Sequence, residues 1–248
     1  MTSGAAALCV AGVLIGVLIG STGVGGVLLV PFLVHALGYP VQSAVAVALW
    51  SFLWSGLLAI ALYWRRGSIS ARPALWLCGA AVPGAVLGSA ALSVVPGRVV
   101  EALIAGVLLV GGMQTLRRPR EHVRREAPGP ALLVGLGLLT GFASALLGAG
   151  GAFLLVPLLV ALGEPVLLAV GLGQVIQVPI SAVATVANLR AGRVDLLSGS
   201  MLAAALAGGI ALGTPLAHGV SHRTLRRLVS FAMLVAAVLM VARLVRLF

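Results

Sequence analysis

Two glycine-rich stretches are where this sequence offers chemistry. Ser21-Thr22-Gly23-Val24-Gly25-Gly26 and Leu147-Gly148-Ala149-Gly150-Gly151 each stand directly ahead of an apolar run. Glycine lets a helix unwind and lets another group approach the backbone closely. A helix that restarts after such a break aims its unbonded N–H groups and its positive dipole end at the break. That arrangement cradles an anion without any cationic side chain. The competing reading is tight helix packing, which small residues serve equally well, and the chain holds 33 glycines. Two clusters at matching places favour binding. The candidate anion ligands are therefore Ser21, Thr22, Gly23, Gly25 and Gly26 with Gly148, Gly150 and Gly151.

A second polar group lies at Gln174, Gln177 and Ser181, spaced i, i+3, i+7 and so on one helical face. Amide and hydroxyl groups there suit a sulfo or carboxylate group, and suit hydrogen bonds between helices equally well. Pro179 beside them suggests a kink. Other chemistries lack their parts. There is no lysine, hence no phosphate-binding G-x-x-x-x-G-K-[ST] loop. His218 and His222 are spaced i, i+4 without the glutamate of a zinc protease. Glu101 stands three residues after Arg98 and reads as half of a helix-end pair, and His35 reads as structural. Trp50 and Trp54 read as core. No catalytic residue, cofactor or metal is expected.

The elements that must hold these residues are membrane helices. Hydrophobic residues make up 61% of the chain and charged ones 8%, with mean hydropathy +1.19. A soluble domain carries about 25% charged residues. Apolar runs between the charged loops are long enough to span roughly 30 Å of hydrocarbon. They show no period-2 alternation, so helices fit and a β-barrel does not. The net charge of +11 comes entirely from arginine clustered in loops. That pattern speaks for membrane topology and not for nucleic acid. Cys9 and Cys78 fall in apolar runs and read as free thiols. The amino-terminal run lacks a basic start and reads as a first membrane segment, not a cleaved leader.

The chain repeats itself. Gly23, Gly25 and Gly26 match Gly148, Gly150 and Gly151 at an offset of 125, and Pro31 matches Pro157 with one residue of slip. The same offset pairs Leu37-Gly38-Tyr39-Pro40 with Leu162-Gly163-Glu164-Pro165, Gly84 with Gly209, Gly88 with Gly213, and Arg98 with Arg223. The expected organisation is a first membrane repeat (1–116), a polar linker (117–130) and a second membrane repeat (131–248). Each repeat reads as four helical segments, the first broken at its glycines. An unbroken first segment would be about 50 Å long, beyond any bilayer. If it crosses once, the protein has about eight crossings and parallel halves. If it folds back, there are ten short segments and the halves are inverted. Eight crossings divide the arginines twelve to four between the two sides, and the alternative divides them eleven to five. The positive-inside rule leans to the first. Both put the 117–130 linker in the cytoplasm.

The second copy carries G-x-x-x-x-x-x-G-x-G-G-x-x-x-L-x-P-x-L from Gly141 to Leu159, and the first copy carries a degraded form. This pattern, the tandem halves and the chain length resemble the TauE/SafE family of sulfite-exporter and sulfonate-permease-type transporters. The resemblance covers nearly the whole chain. It implies a secondary transporter of sulfite, a sulfonate or a similar small anion, multi-pass in a bacterial inner membrane, with a homodimer left open. The motif positions it carries over are Gly23, Gly25, Gly26 and Pro31, with Gly148, Gly150, Gly151 and Pro157. Where the family often has a third consecutive glycine, this chain has Val27 and Ala152. The other reading of the chain is a non-transporting subunit of a larger membrane complex.

Overall fold

Residues 2–23, 25–65, 70–116, 128–216 and 222–246 are described by the structure, a computed structural model. Linker residues 117–127 with their arginines, Val24 and His218 lie outside them. The described chain is helical, in the order α1 (Thr2–Thr22), a 3-10 turn (Gly25–Leu28) running into α2 (Leu29–Ala36), α3 (Val41–Arg65), α4 (Ala71–Val94), α5 (Gly97–Leu116), α6 (Pro130–Leu147), α7 (Gly151–Ala161), α8 (Val166–Arg190), α9 (Leu196–Leu216) and α10 (His222–Arg246). Seven of these helices are long and apolar enough to cross a membrane, and Gly25–Ala36, Gly151–Ala161 and Val229–Val245 form shorter apolar ones. Large apolar side chains stand on the outside, among them Leu75, Val94 and Leu197, each more than 70% exposed. Water would penalise such a surface and lipid does not.

Both expected breaks are present. The first run ends as helix at Thr22, and Gly23 takes φ +76°. The chain then turns back, because Gly25 packs on Ile15, Leu18 and Ile19 of α1. The second run ends at Gly148, a left-handed cap whose N–H bonds Ser144 O at 2.9 Å. Helix resumes at Gly151 after Gly150, at φ +73°.

Helix directions separate the two arrangements left open by the sequence. Gly112 of α5 lies against Ser230 and Leu234 of α10, whereas Glu101 of α5 pairs with Arg243. The two helices that the offset equates therefore run antiparallel. That direction agrees with the expectation of ten segments in inverted halves and not with eight crossings in parallel ones. Arginine counting leaned the other way partly because Arg243 is held by protein. It sits 3.5 Å from Glu101 and donates to Val34 O at 3.2 Å.

The repeats do not stand side by side. α1 runs parallel to α9: Gly12 meets Leu202 and Ala205, Gly16 meets Leu206 and Gly209, and Val17 meets Gly213. α6 runs parallel to α4 in the same way, with Gly137 on Leu77 and Ala80, Gly141 on Ala81, and Gly88 on Phe142 and Ala145. So the first helix of each half is seated on the third helix of the other. α3 and α8 are the most buried spans, with 56% and 67% of their apolar stretches enclosed. At one end, Tyr39 donates to Asp195 at 2.8 Å, and Asp195 in turn takes the N–H of Ser198 at the start of α9. The Ser198 hydroxyl, also bonded to it, holds the Asp195 carboxyl below its usual range. This clasp is therefore present at neutral pH and weakens as pH falls through that lowered value.

Candidate functional site

The two breaks meet in the middle of the bundle. A Cβ built on Gly26 would lie 3.3 Å from Ala149 O and 3.0 Å from the Phe52 ring. One on Gly150 would lie 3.5 Å from the same ring and 3.0 Å from Gln177 Oε1. Phe52, fully buried near the centre of α3, thus sits between the two glycine clusters. The restarting helices, Gly25–Ala36 and Gly151–Ala161, begin here without a side-chain cap at α2 or α7. The first N–H groups of a helix have no carbonyl to bond within it; at α7 the third of them, on Phe153, turns back to Gly150 O at 3.4 Å.

The third wall is α8. Val170, Gln174, Gln177, Ser181 and Thr185 fall within about 80° of one another around a helix with 3.6 residues per turn. Val170 lies against Gly23 of the first break, and Gln177 against Gly150 of the second. Gln174 is one turn from each. It is fully buried, and neither its Nε2 nor its Oε1 has a partner. Ser181 and Thr185 on the same stripe, and Ser55 on α3, are buried with unpartnered hydroxyls as well. Buried polar groups are nearly always bonded; single unpartnered hydroxyls also occur at Ser89 on α4 and Thr140 on α6, so Gln174, with two open polar atoms, is the exception that stands out.

The other candidates divide by what they already hold. Gln177 Nε2 donates to Phe52 O at 3.3 Å and ties α8 to α3. The Ser21 and Thr22 hydroxyls both donate to Leu18 O, at 3.3 and 2.7 Å, as hydroxyls near a helix end commonly do. Gly25 and Gly151 are packing glycines: a Cβ would fall 2.7 Å from Leu18 and 2.7 Å from Ile176 respectively. Gly148 abuts Val30 and Val45. Pro31 is buried in α2, and Pro157 lies inside α7. Sequence reasoning missed Phe52, although the offset of 125 pairs it with Gln177. It also missed Ser144, whose hydroxyl donates to Gly150 O at 3.2 Å and fixes the second break.

Two expectations are corrected. Trp50 and Trp54 are not core. Trp54 is 50% exposed, and both line an open groove of about 310 Å³ with Ser200, Ala203, Ala204 and Ala207. Trp50 Nε1 donates to Ser200 Oγ at 3.1 Å. Glu101, only 3% exposed, is joined to Arg243 of α10 and not simply to its helix neighbour Arg98. Since Arg243 also holds the last turn of α2 through Val34, this pair anchors the first broken segment. Arg243→Gln is expected to lower stability by about 1–3 kcal/mol, as it strands a buried carboxylate next to a half-open side chain. Glu101→Gln should cost less. Thermal unfolding of the two variants in detergent checks the order.

The chain matches the family described as Sulfite exporter TauE/SafE over residues 8–240. No curated protein and no solved structure matches it. With that match spanning nearly the whole of a chain of apolar helices, the protein belongs to the TauE/SafE sulfite exporter family of membrane transporters.

Proposed function

We propose that this protein moves sulfite, a sulfonate or a similarly small anion across a bacterial inner membrane as a secondary transporter. The anion is held where the two breaks meet. The observation that carries this reading is the Gln174 amide, buried and unpartnered on the helical stripe between Gly23 and Gly150. Two helix starts supply positive potential, and Gln174, Ser181, Thr185 and Ser55 supply hydrogen bonds. Gly23, Gly148 and Gly150 shape the breaks, while Ser21, Thr22, Gly25, Gly26, Gly151 and Gln177 hold the surrounding backbone in place. The test is flux of labelled sulfite by the purified protein alone in proteoliposomes. Absence of flux for sulfite, sulfonates and small carboxylates alike would favour the non-transporting subunit.

The breaks, and not whole repeats, are the moving parts. Repeats 1–116 and 131–248 are interleaved through α1 on α9 and α6 on α4, so one cannot rock against the other as a block. α2 and α7, short and jointed at glycine, are the elements that tilt about Gly23 and Gly150, and for α2 this breaks the Arg243 bond to Val34 O. Each half then contributes three crossings and one hairpin that enters from its own side. The linker faces the cytoplasm, on the side that takes eleven of the sixteen arginines in this arrangement. In a background without Cys9 and Cys78, a cysteine at Gly192 should be labelled from the side opposite to one at Gly129. Labelling of both from the same side would restore the eight-crossing arrangement.

A further inference from the structure

Resting on that reading, we infer that the species carried is a monoanion that keeps a proton on one oxygen (hydrogensulfite, in the case of sulfite) and not the dianion. Two features of the site point the same way, one of charge and one of hydrogen bonding.

The charge available is at most about one unit. A helix start is equivalent to roughly half a positive charge, and two of them face the breaks, while the ends of α1 and α6 at the same breaks carry the opposite dipole charge and reduce that total. The side chains lying against the break glycines are neutral: Val30, Val45, Phe52, Val170, Ile176 and Gln177. Arg243 is at the far end of α2, engaged with Glu101 and Val34. One negative charge is therefore the most that the helix starts can match. A second would be stranded in a dry interior, where the cost of an unpaired charge rises steeply.

The hydrogen-bonding pattern is mixed. Gln174 leaves both an N–H donor and a carbonyl acceptor without partners. This holds whichever way the amide is turned. A fully ionised oxyanion has only acceptors, so it satisfies Nε2 and sets its lone pairs against Oε1. Hydroxyls such as Ser181 and Ser55 adapt by rotation, but an amide oxygen cannot. A ligand with one O–H answers both ends of the amide. Carrying it moves one sulfite dianion and one proton together.

On the elements that touch the breaks, the ionisable side chains are Cys9 on α1, His35 on α2, Tyr63 and Arg65 on α3, Arg190 on α8, and His222, Arg223, Arg226, Arg227, Arg243 and Arg246 on α10, which packs against Gly25–Leu28; α6 and α7 have none. Of these only His35 and His222 ordinarily titrate near neutral pH, so they are the protein groups to control for.

The test is initial uptake into proteoliposomes with equal pH inside and out, stepped across the second ionisation of sulfurous acid near neutrality. At fixed total sulfite, the rate should fall with the monoanion fraction, approaching about tenfold per pH unit above the ionisation. Methanesulfonate, a monoanion without an O–H, should show a flat profile and compete about tenfold or more weakly. Gln174→Leu should erase that preference in competition binding, and His35→Asn and His222→Asn should each keep the falling sulfite profile. A sulfite rate that is flat or rises with the dianion overturns the inference while leaving the transport reading intact. So does a falling methanesulfonate profile, or loss of the sulfite profile in either histidine variant. No flux of any anion overturns both.

Discussion

Gln174→Leu is expected to stop anion flux and, at the same time, to make the empty protein more stable. The opposite signs are the point. Leucine is close to glutamine in size, and the site is fully buried, so packing changes little. What leaves is a donor and an acceptor that have no partner. An unsatisfied buried polar group costs about 1–3 kcal/mol. Removing it should raise the melting temperature by about 2 °C or more in a chain of this size. The anion loses hydrogen bonds worth about 1.5–3 kcal/mol each, which is a loss of affinity of tenfold to a hundredfold or more. Gln177→Leu behaves differently, since its amide bonds Phe52 O. That variant should lose stability as well as flux. Thermal unfolding and sulfite uptake on the same preparations decide the matter. A melting temperature that falls in Gln174→Leu would make Gln174 a structural residue, and normal flux would remove it from the site.

Much of this site could be read before any coordinates, and the parts that could not have a common cause. Glycine spacing is legible because glycine means something definite to a backbone. Gly23, Gly148 and Gly150 all take positive φ at the breaks. The offset that joined Gly84 to Gly209 and Gly88 to Gly213 likewise marked two equivalent helix crossings. Helix direction was not legible. An apolar run without period looks the same read up or down the membrane, and the arginine division differed by a single residue between the arrangements. Arg243 counted as topological because of its place at a helix end, whereas here it bonds Val34 O and Glu101. Phe52 was invisible for a related reason. Nothing separates it from other apolar residues except its partner in the repeat, Gln177. Ser21 and Thr22 show a different limit. Polar residues beside a break suggest ligands, but hydroxyls near a helix end commonly bond the preceding turn, and these do.

Gly209→Ala should cost more than about 3 kcal/mol and leave little folded protein, while Gly208→Ala, one residue away, should cost less than about 0.5 kcal/mol. The two residues differ by about 100° around α9. Gly208 has nothing within 4 Å of an added methyl, so alanine there gains helix propensity at no steric expense. At Gly209 the methyl would strike the carbonyl of Val13, with Gly16 Cα at 2.8 Å and Val17 N at 2.9 Å. Those atoms are backbone and cannot swing aside, so α1 and α9 must separate. The counterpart contrast lies in the other crossing. Gly84→Ala would strike Leu138 O of α6, and Gly79→Ala meets open space. In lipid there is no hydrophobic force to press separated helices back together, so close packing and Cα–H···O contacts supply what holds them. The measurement is the melting temperature and monodispersity of the four variants in detergent. If Gly209→Ala and Gly84→Ala melt like their neighbours, the two crossings are loose. The repeats could then slide past each other, and the case for α2 and α7 as the moving parts would lose its support.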